Sequence, residues 1–279
     1  MQSKGSLYVI AVPIGNLKDI TLRALEILKE LDILICEDTR STQKLLNYYD
    51  LGKKKLISFY KDVEKEKLGK ILDILRSGKD LGLLSEAGTP IISDPGSILV
   101  KSCHEEGIRI IPIPGVSALT TALSASGIDA SSGFVFGGFP PRKNKEKKAF
   151  FQRLNAGLPI VIFESPHRVH STLRCALEVL GNCRCFLARE LTKLHEELLW
   201  TDIESLLTRK EFKGELTLIF IPEKTQSVSE NENKFLLAES IFKELRECNV
   251  SSKKLIKALA NSLGLPTKEL YQRLVNLKD

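Results

Sequence analysis

The stretch LGLLSEAGTPIISDPG, residues 81–96, passes directly from an apolar run into a loop rich in glycine and proline. The run Leu81–Ser85 predicts a buried strand. The loop from Ser85 to Gly96 holds two Gly, two Pro, two acids and three hydroxyl side chains, so its backbone can come close to a bound molecule. It lacks the Gly-Lys-Ser/Thr ending of a Walker loop. A strand that ends in such a loop is typical of parallel α/β sheets, whose ligands bind beyond the carboxyl ends of the strands.

Short apolar runs alternate with amphipathic segments on both sides of this stretch. The runs that predict strands are Leu7–Val12, Ile33–Cys36, Leu56–Phe59, Leu81–Ser85, Arg109–Pro112, Phe134–Gly137, Ile160–Phe163, Arg184–Ala188, Glu197–Trp200 and Leu216–Ile221. The segments that predict helices are 20–31, 41–49, 63–75, 117–126, 145–154, 168–180 and 203–207. This alternation predicts an α/β fold, with a mostly parallel sheet covered on both faces in the first half. Small residues cluster near 126–132, which predicts two α/β domains, 1–127 and 128–223.

The sequence changes character after Ile221. Residues 222–233 are polar and predict a linker. Three helical segments follow at 234–248, 251–263 and 267–277, with Ser251 and Thr267 as expected N-caps. The sequence therefore predicts a small helical module, 234–279, of helix-turn-helix size.

Composition excludes several classes of protein. Hydrophobic residues make up 43% and charged residues 27% of the 279 residues, which argues against a disordered chain. The 18 Gly and 11 Pro, spread along the sequence, argue against a coiled-coil rod. None of the six cysteines forms a C-x-x-C pair, so we expect reduced thiols. The apolar run 7–14 is too short to span a bilayer, and a cytoplasmic location is expected.

Positive charge is concentrated in one segment. The chain carries 41 Lys plus Arg against 35 Asp plus Glu, a net charge of +6. Residues 140–153 contain six basic side chains and Glu146 as their one acid, so 6 − 1 = +5 of this excess lies there. Two interpretations stay open: a solvated helix face with Phe150 and Phe151 in the core, or an arm that binds phosphates.

Three further loops follow predicted strands and contain polar groups suited to ligand binding. Residues 13–21 contain Gly15 and Asn16, with the alternative that Asp19 or Thr21 only caps a helix. Residues 37–40, EDTR, offer two carboxylates and an arginine for acid–base chemistry or for capping. Residues 112–118 place Ser117 at a helix start, facing a ligand or capping the helix. No G-x-G-x-x-G, G-x-S-x-G or H-E-x-x-H motif occurs, and no metal site is expected.

Together these motifs resemble the tetrapyrrole-methylase superfamily of S-adenosylmethionine (SAM) methyltransferases, and within it the branch that methylates small-subunit ribosomal RNA. The resemblance runs from Leu7 to about Ile221. The segments that carry it are VPIGNLKDITLRAL (12–25), EDTR (37–40), SEAGTPIISDPG (85–96), PGVSAL (114–119), GGFPPRK (137–143), ESPHR (164–168) and ARELTKLHEE (188–197). The helical tail is similar to the C-terminal helix-turn-helix module of that branch.

The resemblance implies a cytoplasmic enzyme that methylates the ribose 2′-hydroxyl of a cytidine in the decoding centre of 16S rRNA. SAM is the implied methyl donor, held in a cleft between two α/β domains. The implied partners are small-subunit rRNA or the 30S subunit and a second copy of the chain, as a homodimer.

The resemblance also implies where SAM binds. The residues that carry over are Pro13, Gly88, Thr89, Pro90, Ile91, Ile92, Ser117, Ala118, Phe163 and Glu164. Glu86 departs from the pattern, because the family usually has the shorter Asp there.

Alignment of the hydroxyl with the methyl group is the main task of such an enzyme, and a base helps because a ribose hydroxyl is a poor nucleophile. We hypothesise that Glu37 or Asp38 orients or deprotonates the hydroxyl and that Arg40 holds a phosphate. Glu190 and Lys193 are rival bases, the lysine only if burial lowers its pKa. The residues expected to bind RNA are Arg142, Lys143, Lys145, Lys147, Lys148 and Arg168.

Two other functions stay open. One is a methylase of the same fold that acts on a tetrapyrrole precursor, which would need neither the basic segment nor the helical tail. The other is a non-catalytic RNA-binding protein that keeps the fold.

Overall fold

A computed structural model of the protein describes residues 4–222, 230–245 and 252–275. The described residues form two compact units, one that ends at Pro222 and one in the C-terminal part. The first unit contains two five-stranded sheets. The predicted α/β class is confirmed, while a division into domains at residue 127 remains a prediction.

The first sheet is parallel throughout. Its strands are β1 (Leu7–Ile10), β2 (Ile33–Cys36), β3 (Lys55–Ser58), β4 (Leu81–Leu84) and β5 (Ile110–Ile113). They lie in the order β3-β2-β4-β1-β5, and each neighbouring pair is parallel. Strands β2 and β4 are buried along their whole length, as expected for central strands covered on both faces.

Helices cover both faces of this sheet. They are α1 (Leu22–Glu30), α2 (Thr39–Tyr48), α3 (Glu64–Arg76) and α4 (Ser97–Glu105), and the next helix along the chain is α5 (Ala118–Ser126). One core joins α1 and α2 to the sheet through residues such as Leu28 and Leu46. A second core joins α3 and α4 to the opposite face through Ile71 and Leu99. Thr21 caps α1 by accepting a hydrogen bond from the Ala24 N–H at 3.1 Å, as the capping alternative for residues 13–21 proposed.

The second sheet is mixed. Its strands are β6 (Val135–Gly138), β7 (Ile160–Glu164), β8 (Arg184–Arg189), β9 (Glu197–Asp202) and β10 (Leu216–Ile221), in the order β6-β7-β10-β8-β9. The pair β6–β7 is parallel, whereas β10 runs antiparallel to β7 and β8, and β9 antiparallel to β8. The short loop between β8 and β9 explains the last pair, because a parallel connection needs a crossover of a dozen or more residues.

Different helices pack on the two faces of the second sheet. The helices α6 (Asn144–Leu154), α7 (Val169–Leu180) and α8 (Ile203–Leu207) form a core on one face. Helix α5 packs through Ala122 against Val161, Phe186 and Ile219 on the other face. The Trp200 Nε1 donates to the Ser126 carbonyl at 2.9 Å. Helix α5 follows β5 in sequence but belongs to the core of the second sheet, so it joins the two sheets.

The C-terminal unit is helical, as predicted. It consists of α9 (Glu230–Leu245), α10 (Ser252–Leu263) and α11 (Thr267–Val275) around a core that includes Phe235 and Leu270. The Arg273 guanidinium lies 4.4 Å from the centre of the Phe235 ring. The proposed cap Ser251, Cys248 and most of the proposed linker lie outside the described residues.

Two further expectations concern cysteines and membranes. Cys36, Cys103, Cys175 and Cys185 are buried free thiols, and Cys183 is also buried. Among the helices of the described ranges, none is long and apolar enough to cross a membrane.

Candidate active site

A cavity of about 660 Å³ opens at the carboxyl ends of the first sheet. The loops after β1, β2, β4 and β5 contribute to it, and residues of β7, β10 and the loop after β6 complete it from the second sheet. Its volume is in the range of small-molecule sites, about 300–1,000 Å³. The position agrees with the expectation that a ligand binds beyond the strand ends.

Main-chain hydrogen bonds fix the loops on the first-sheet side. Val12 and Gly88 exchange two backbone bonds of 2.9 Å, which join the loops after β1 and β4. The Thr89 hydroxyl donates to the Val116 carbonyl at 3.0 Å and so adds the loop after β5. Gly88 has a φ of +75°, and a Cβ there would lie 3.3 Å from Ile14 Cγ2. Glycine is therefore the residue that fits this close approach.

The second part of the β4–α4 loop has a strained backbone, and a buried carboxylate of α3 holds its end in place. Ile91 and Ser93 have φ of +76° and +77°, a conformation that is rare for residues with a Cβ and an outlier for a β-branched one. The buried Glu64 carboxylate accepts hydrogen bonds from the N–H groups of Gly96 at 3.0 Å and Ile98 at 3.3 Å. Ile91 packs against the sheet core, while Ile92 and Asp94 line the cavity.

Four carboxylates line the cavity: Glu37, Glu86 and Asp94 from loops of the first sheet, and Glu215 from the second. Burial, followed by the charges of Glu37 and Glu86, raises the pKa of Asp94 to about 7. Burial, followed by Glu86 and Asp38, also raises the pKa of Glu37. Asp94 was not among the predicted catalytic residues, although it lies in the loop rich in glycine and proline that follows β4. Acids with raised pKa in a cleft are candidates for proton transfer.

The predicted catalytic residues Asp38 and Arg40 do not line the cavity. The Asp38 carboxylate caps α2 by accepting from the Arg40 N–H at 2.7 Å, and this hydrogen bond lowers the pKa of Asp38. The Arg40 side chain is 89% exposed. Of the EDTR motif, only Glu37 faces the cavity, so capping is the role that the structure gives to Asp38.

Lys193 lines the cavity but is not an unpaired lysine. Its Nζ donates to Glu190 and to Glu215, at 2.9 Å each. Burial disfavours the ammonium, but these hydrogen bonds outweigh burial and raise the pKa of Lys193. The hydrogen bond from Lys193 lowers the pKa of Glu190 in turn, and Glu190 does not line the cavity. The condition for a lysine base, a pKa lowered by burial, is therefore not met.

Seven of the ten residues expected to contact SAM line the cavity: Pro13, Gly88, Thr89, Ile92, Ser117, Ala118 and Phe163. Ser117 precedes α5 without capping it through its side chain. Pro90 and Ile91 are not among the lining residues. The Glu164 carboxylate is turned away, because it is buried and accepts hydrogen bonds from the Ser165 N–H at 2.8 Å and the Thr172 hydroxyl at 2.5 Å.

The basic segment has both a structural and a solvent-facing part. Phe150 and Phe151 lie in the core, and Lys147 is only 2% exposed. The Lys147 Nζ hydrogen-bonds to the Ser171 hydroxyl and, at 3.5 Å, to Asn144 Oδ1. The expectation that Lys147 binds RNA is therefore wrong, since its amine is used inside the fold.

The remaining cations of the segment are exposed. Arg142, Lys143, Lys145, Lys148 and Arg153 all reach solvent. Lys143 lies 3.4 Å from Glu146, and Lys148 pairs with Glu178, both at exposed positions where such pairs are weak. A phosphate can therefore replace Glu146 as the partner of Lys143, or Glu178 as the partner of Lys148, at little cost in free energy.

Arg168 supports the loop that precedes the basic helix. Its guanidinium donates to the carbonyls of Pro140 and Pro141, the latter at 3.3 Å, and its Nε lies 3.4 Å from Glu164. The guanidinium thus connects the GGFPPRK loop to β7. These contacts engage the guanidinium inside the fold, so Arg168 is not the free RNA-binding cation that the sequence predicts.

Comparison with known proteins shows what this chain is similar to. A sequence model of the family Tetrapyrrole (Corrin/Porphyrin) Methylases matches residues 6–207. A Thermotoga maritima protein named Ribosomal RNA small subunit methyltransferase I is 44% identical over 77% of this chain and 97% of its own length. A protein of the same name from Halalkalibacterium halodurans is 41% identical over 96% of this chain and 94% of its own length. A crystal structure of diphthine synthase shares the fold, with a TM-score of 0.61 and 14% identity over 77% of this chain and 90% of that one.

Proposed function

The chain belongs to the tetrapyrrole methylases and, within them, to the family of the proteins named ribosomal RNA small subunit methyltransferase I, and on this premise we propose that it methylates small-subunit rRNA with SAM as the donor. The finer part of the proposal is the acceptor: the ribose 2′-hydroxyl of a cytidine in the decoding centre. The observation that carries the proposal is the near full-length match to relatives of that name.

The residues of the cavity fit a donor of the size and polarity of SAM. The volume of about 660 Å³ is enough for a nucleoside that carries an amino acid, as SAM does. Gly88 leaves room for a close backbone approach, because it has no Cβ beside Ile14. Ser117, Ala118 and Phe163 offer a hydroxyl, a small side chain and an aromatic ring on the other walls. When bound there, SAM supplies a methyl group already activated by its sulfonium.

The chain itself has to position the acceptor hydroxyl and take its proton. Glu37 stands at the end of β2 and faces the cavity, so it is placed to accept a hydrogen bond from the hydroxyl. Lys193, held between Glu190 and Glu215, brings a fixed positive charge to the same cavity. Neither group needs a metal partner for these roles, because a carboxylate accepts and an ammonium donates by itself.

Exposed cations supply the surface for RNA. Arg142, Lys143 and Lys145 follow the cavity residue Phe139 in sequence, and Lys148 lies one turn further along α6. Lysine and arginine that contact phosphates release counterions, so affinity gained in this way falls with rising salt. We include the 30S subunit or its rRNA as partner, a homodimer and a cytoplasmic location in the proposal.

The test is methyl transfer from labelled SAM. The protein is incubated with small subunits that lack the modification and, separately, with a tetrapyrrole precursor. We expect label in the rRNA and none in the small molecule. Label in the precursor would support the alternative methylase, while tight RNA binding without SAM binding in calorimetry would support a non-catalytic protein.

A further inference from the structure

An aromatic ring stands partly free in the cavity. Phe139 follows β6, lines the cavity and is 54% exposed. Its ring meets Phe163 edge to face, with centroids 5.6 Å apart, and Phe163 meets Phe136 in the same manner at 5.0 Å. These contacts hold the Phe139 ring on one side and leave part of its surface open to the cavity. An exposed aromatic face is the group on which proteins stack unpaired RNA bases.

The loop that carries Asp94 touches the loop that carries Phe139. A Cβ at Gly138 would lie 3.3 Å from the Ser93 hydroxyl, so the residues immediately before Phe139 and Asp94 are neighbours. Gly138 has a φ of +67°, which allows the chain to turn at this contact. Both following side chains line the same cavity. The aromatic ring and the carboxylate therefore share one end of it.

We propose that this end of the cavity is the acceptor-nucleotide subsite, in which the Phe139 ring stacks on the target base and the Asp94 carboxylate accepts the proton of the ribose 2′-hydroxyl. The inference rests on the proposed function and deepens it. It assigns a base-binding residue and a proton acceptor that the sequence motifs alone did not single out.

The proposed step needs only the acceptor hydroxyl, the Asp94 carboxylate and the methyl donor. The hydroxyl O–H bond breaks and its proton passes to Asp94, while the oxygen forms a bond to the methyl carbon. The carbon–sulfur bond of the donor breaks, and its electron pair stays on sulfur. The other charged groups that line the cavity with Asp94 are the carboxylates Glu37, Glu86 and Glu215 and the cations Lys44 and Lys193. The raised pKa of Asp94 makes it a stronger base than an ordinary carboxylate.

The neighbourhood favours a base of RNA over the adenine of SAM as the partner of Phe139. Arg142 and Lys143 closely follow Phe139 in sequence and are exposed, so they are near enough to the ring to contact a phosphate next to a stacked base. Arg168 holds this loop through the carbonyls of Pro140 and Pro141, which gives the ring and the cations one rigid support.

The test of the ring uses Phe139→Ala, Phe139→Trp and the control Phe134→Ala. Phe134 is a partly exposed aromatic just before β6 that does not line the cavity. We measure the Kd for SAM by calorimetry and the Kd for a fluorescent rRNA fragment by anisotropy. Phe139→Ala should weaken RNA binding about tenfold, in line with the loss of one stacked base, and leave the SAM Kd unchanged. Phe139→Trp should restore RNA binding, and Phe134→Ala should change neither.

A weaker SAM Kd with an unchanged RNA Kd would mean that the Phe139 ring contacts the donor. No change in either Kd would contradict the proposed subsite.

The role of Asp94 as the base is tested by comparing Asp94→Asn with Glu37→Gln. Asp94→Asn should lower kcat about a hundredfold or more with both Kd values kept. The wild-type kcat should rise with pH through about 7. In Glu37→Gln the rise should persist but move to lower pH, because the Glu37 charge contributes to the raised pKa of Asp94.

An Asp94→Asn enzyme with a wild-type kcat, or a rise that disappears in Glu37→Gln alone, would overturn the assignment of the base. These failures are distinct from failure of the proposed function. In that case the wild-type protein itself would transfer no methyl group to rRNA.

Discussion

At the scale of single residues, Glu64 shows how a side chain outside the cavity shapes it. Its buried carboxylate is the acceptor for two N–H groups at the end of the β4–α4 loop. Replacement by Ala leaves these donors unsatisfied, which typically costs about 1–3 kcal/mol. We expect Glu64→Ala to lower the free energy of unfolding by this amount and to weaken SAM binding. Exposed Glu66→Ala is the matched control, and equal stability of the two variants would contradict the anchoring role.

The charge state of Asp94 gives a second prediction at this scale. Its native pKa of about 7 exceeds the usual 3.8, so between these pH values the native state binds more protons than the unfolded state. Stability contributed by the protonated form is therefore lost as pH rises through this window. Asp94→Asn should raise the free energy of unfolding at pH 8, by about 1 kcal/mol after allowance for solvent screening. The gain should vanish near pH 4, and a variant less stable than wild type at pH 8 would contradict it.

Single residues also mark the limit of what the sequence can predict. The capping roles of Thr21 and Asp38 depend on neighbours two or three positions away, and local sequence contains that information. The burial of Lys147 depends on Ser171 from another helix. The raised pKa of Asp94 depends on burial and on Glu37 from another loop, in addition to Glu86 of its own loop. Neither of the last two is visible in a local pattern.

At the scale of elements, the basic segment 140–153 contains one lysine, Lys147, whose amine is bound inside the fold. Its other cations are exposed and available to RNA. Replacement of Arg142, Lys143 and Lys145 by Ala should weaken RNA binding and flatten the slope of log K against log salt by about two, at roughly 0.7 for each phosphate that these side chains neutralise. Lys147→Ala should instead lower Tm by about 2–4 °C without any change in this slope. If only Lys147→Ala flattened the slope, Lys147 would be the residue that contacts phosphate, which would contradict its role inside the fold.

The elements themselves were largely predictable, because their apolar periodicity is local. Strands β2 and β10 begin and end where the sequence predicted them. Helix α4 was not predicted, although Leu99 and Cys103 lie one turn apart and are buried. The antiparallel members of the second sheet were also not predicted, since pairing direction depends on connections rather than on the composition of a strand.

At the scale of the whole molecule, the two units have separate cores. The cores of the first unit are formed without the C-terminal helices, and the family match ends at residue 207. We therefore expect a fragment of residues 1–222 to fold and to bind SAM with the affinity of the full chain. Circular dichroism and calorimetry check this. An unfolded fragment, or a large loss of SAM affinity, would show that the helical unit supports the site.

The position of the transferred methyl group decides the activity of the whole molecule. The most direct measurement is to treat undermethylated small subunits with labelled SAM and this protein, digest the rRNA and identify the labelled nucleoside by mass spectrometry. We predict that the label appears as one 2′-O-methylcytidine from the decoding centre. Label on a base, on another nucleotide or on no RNA at all would contradict the account.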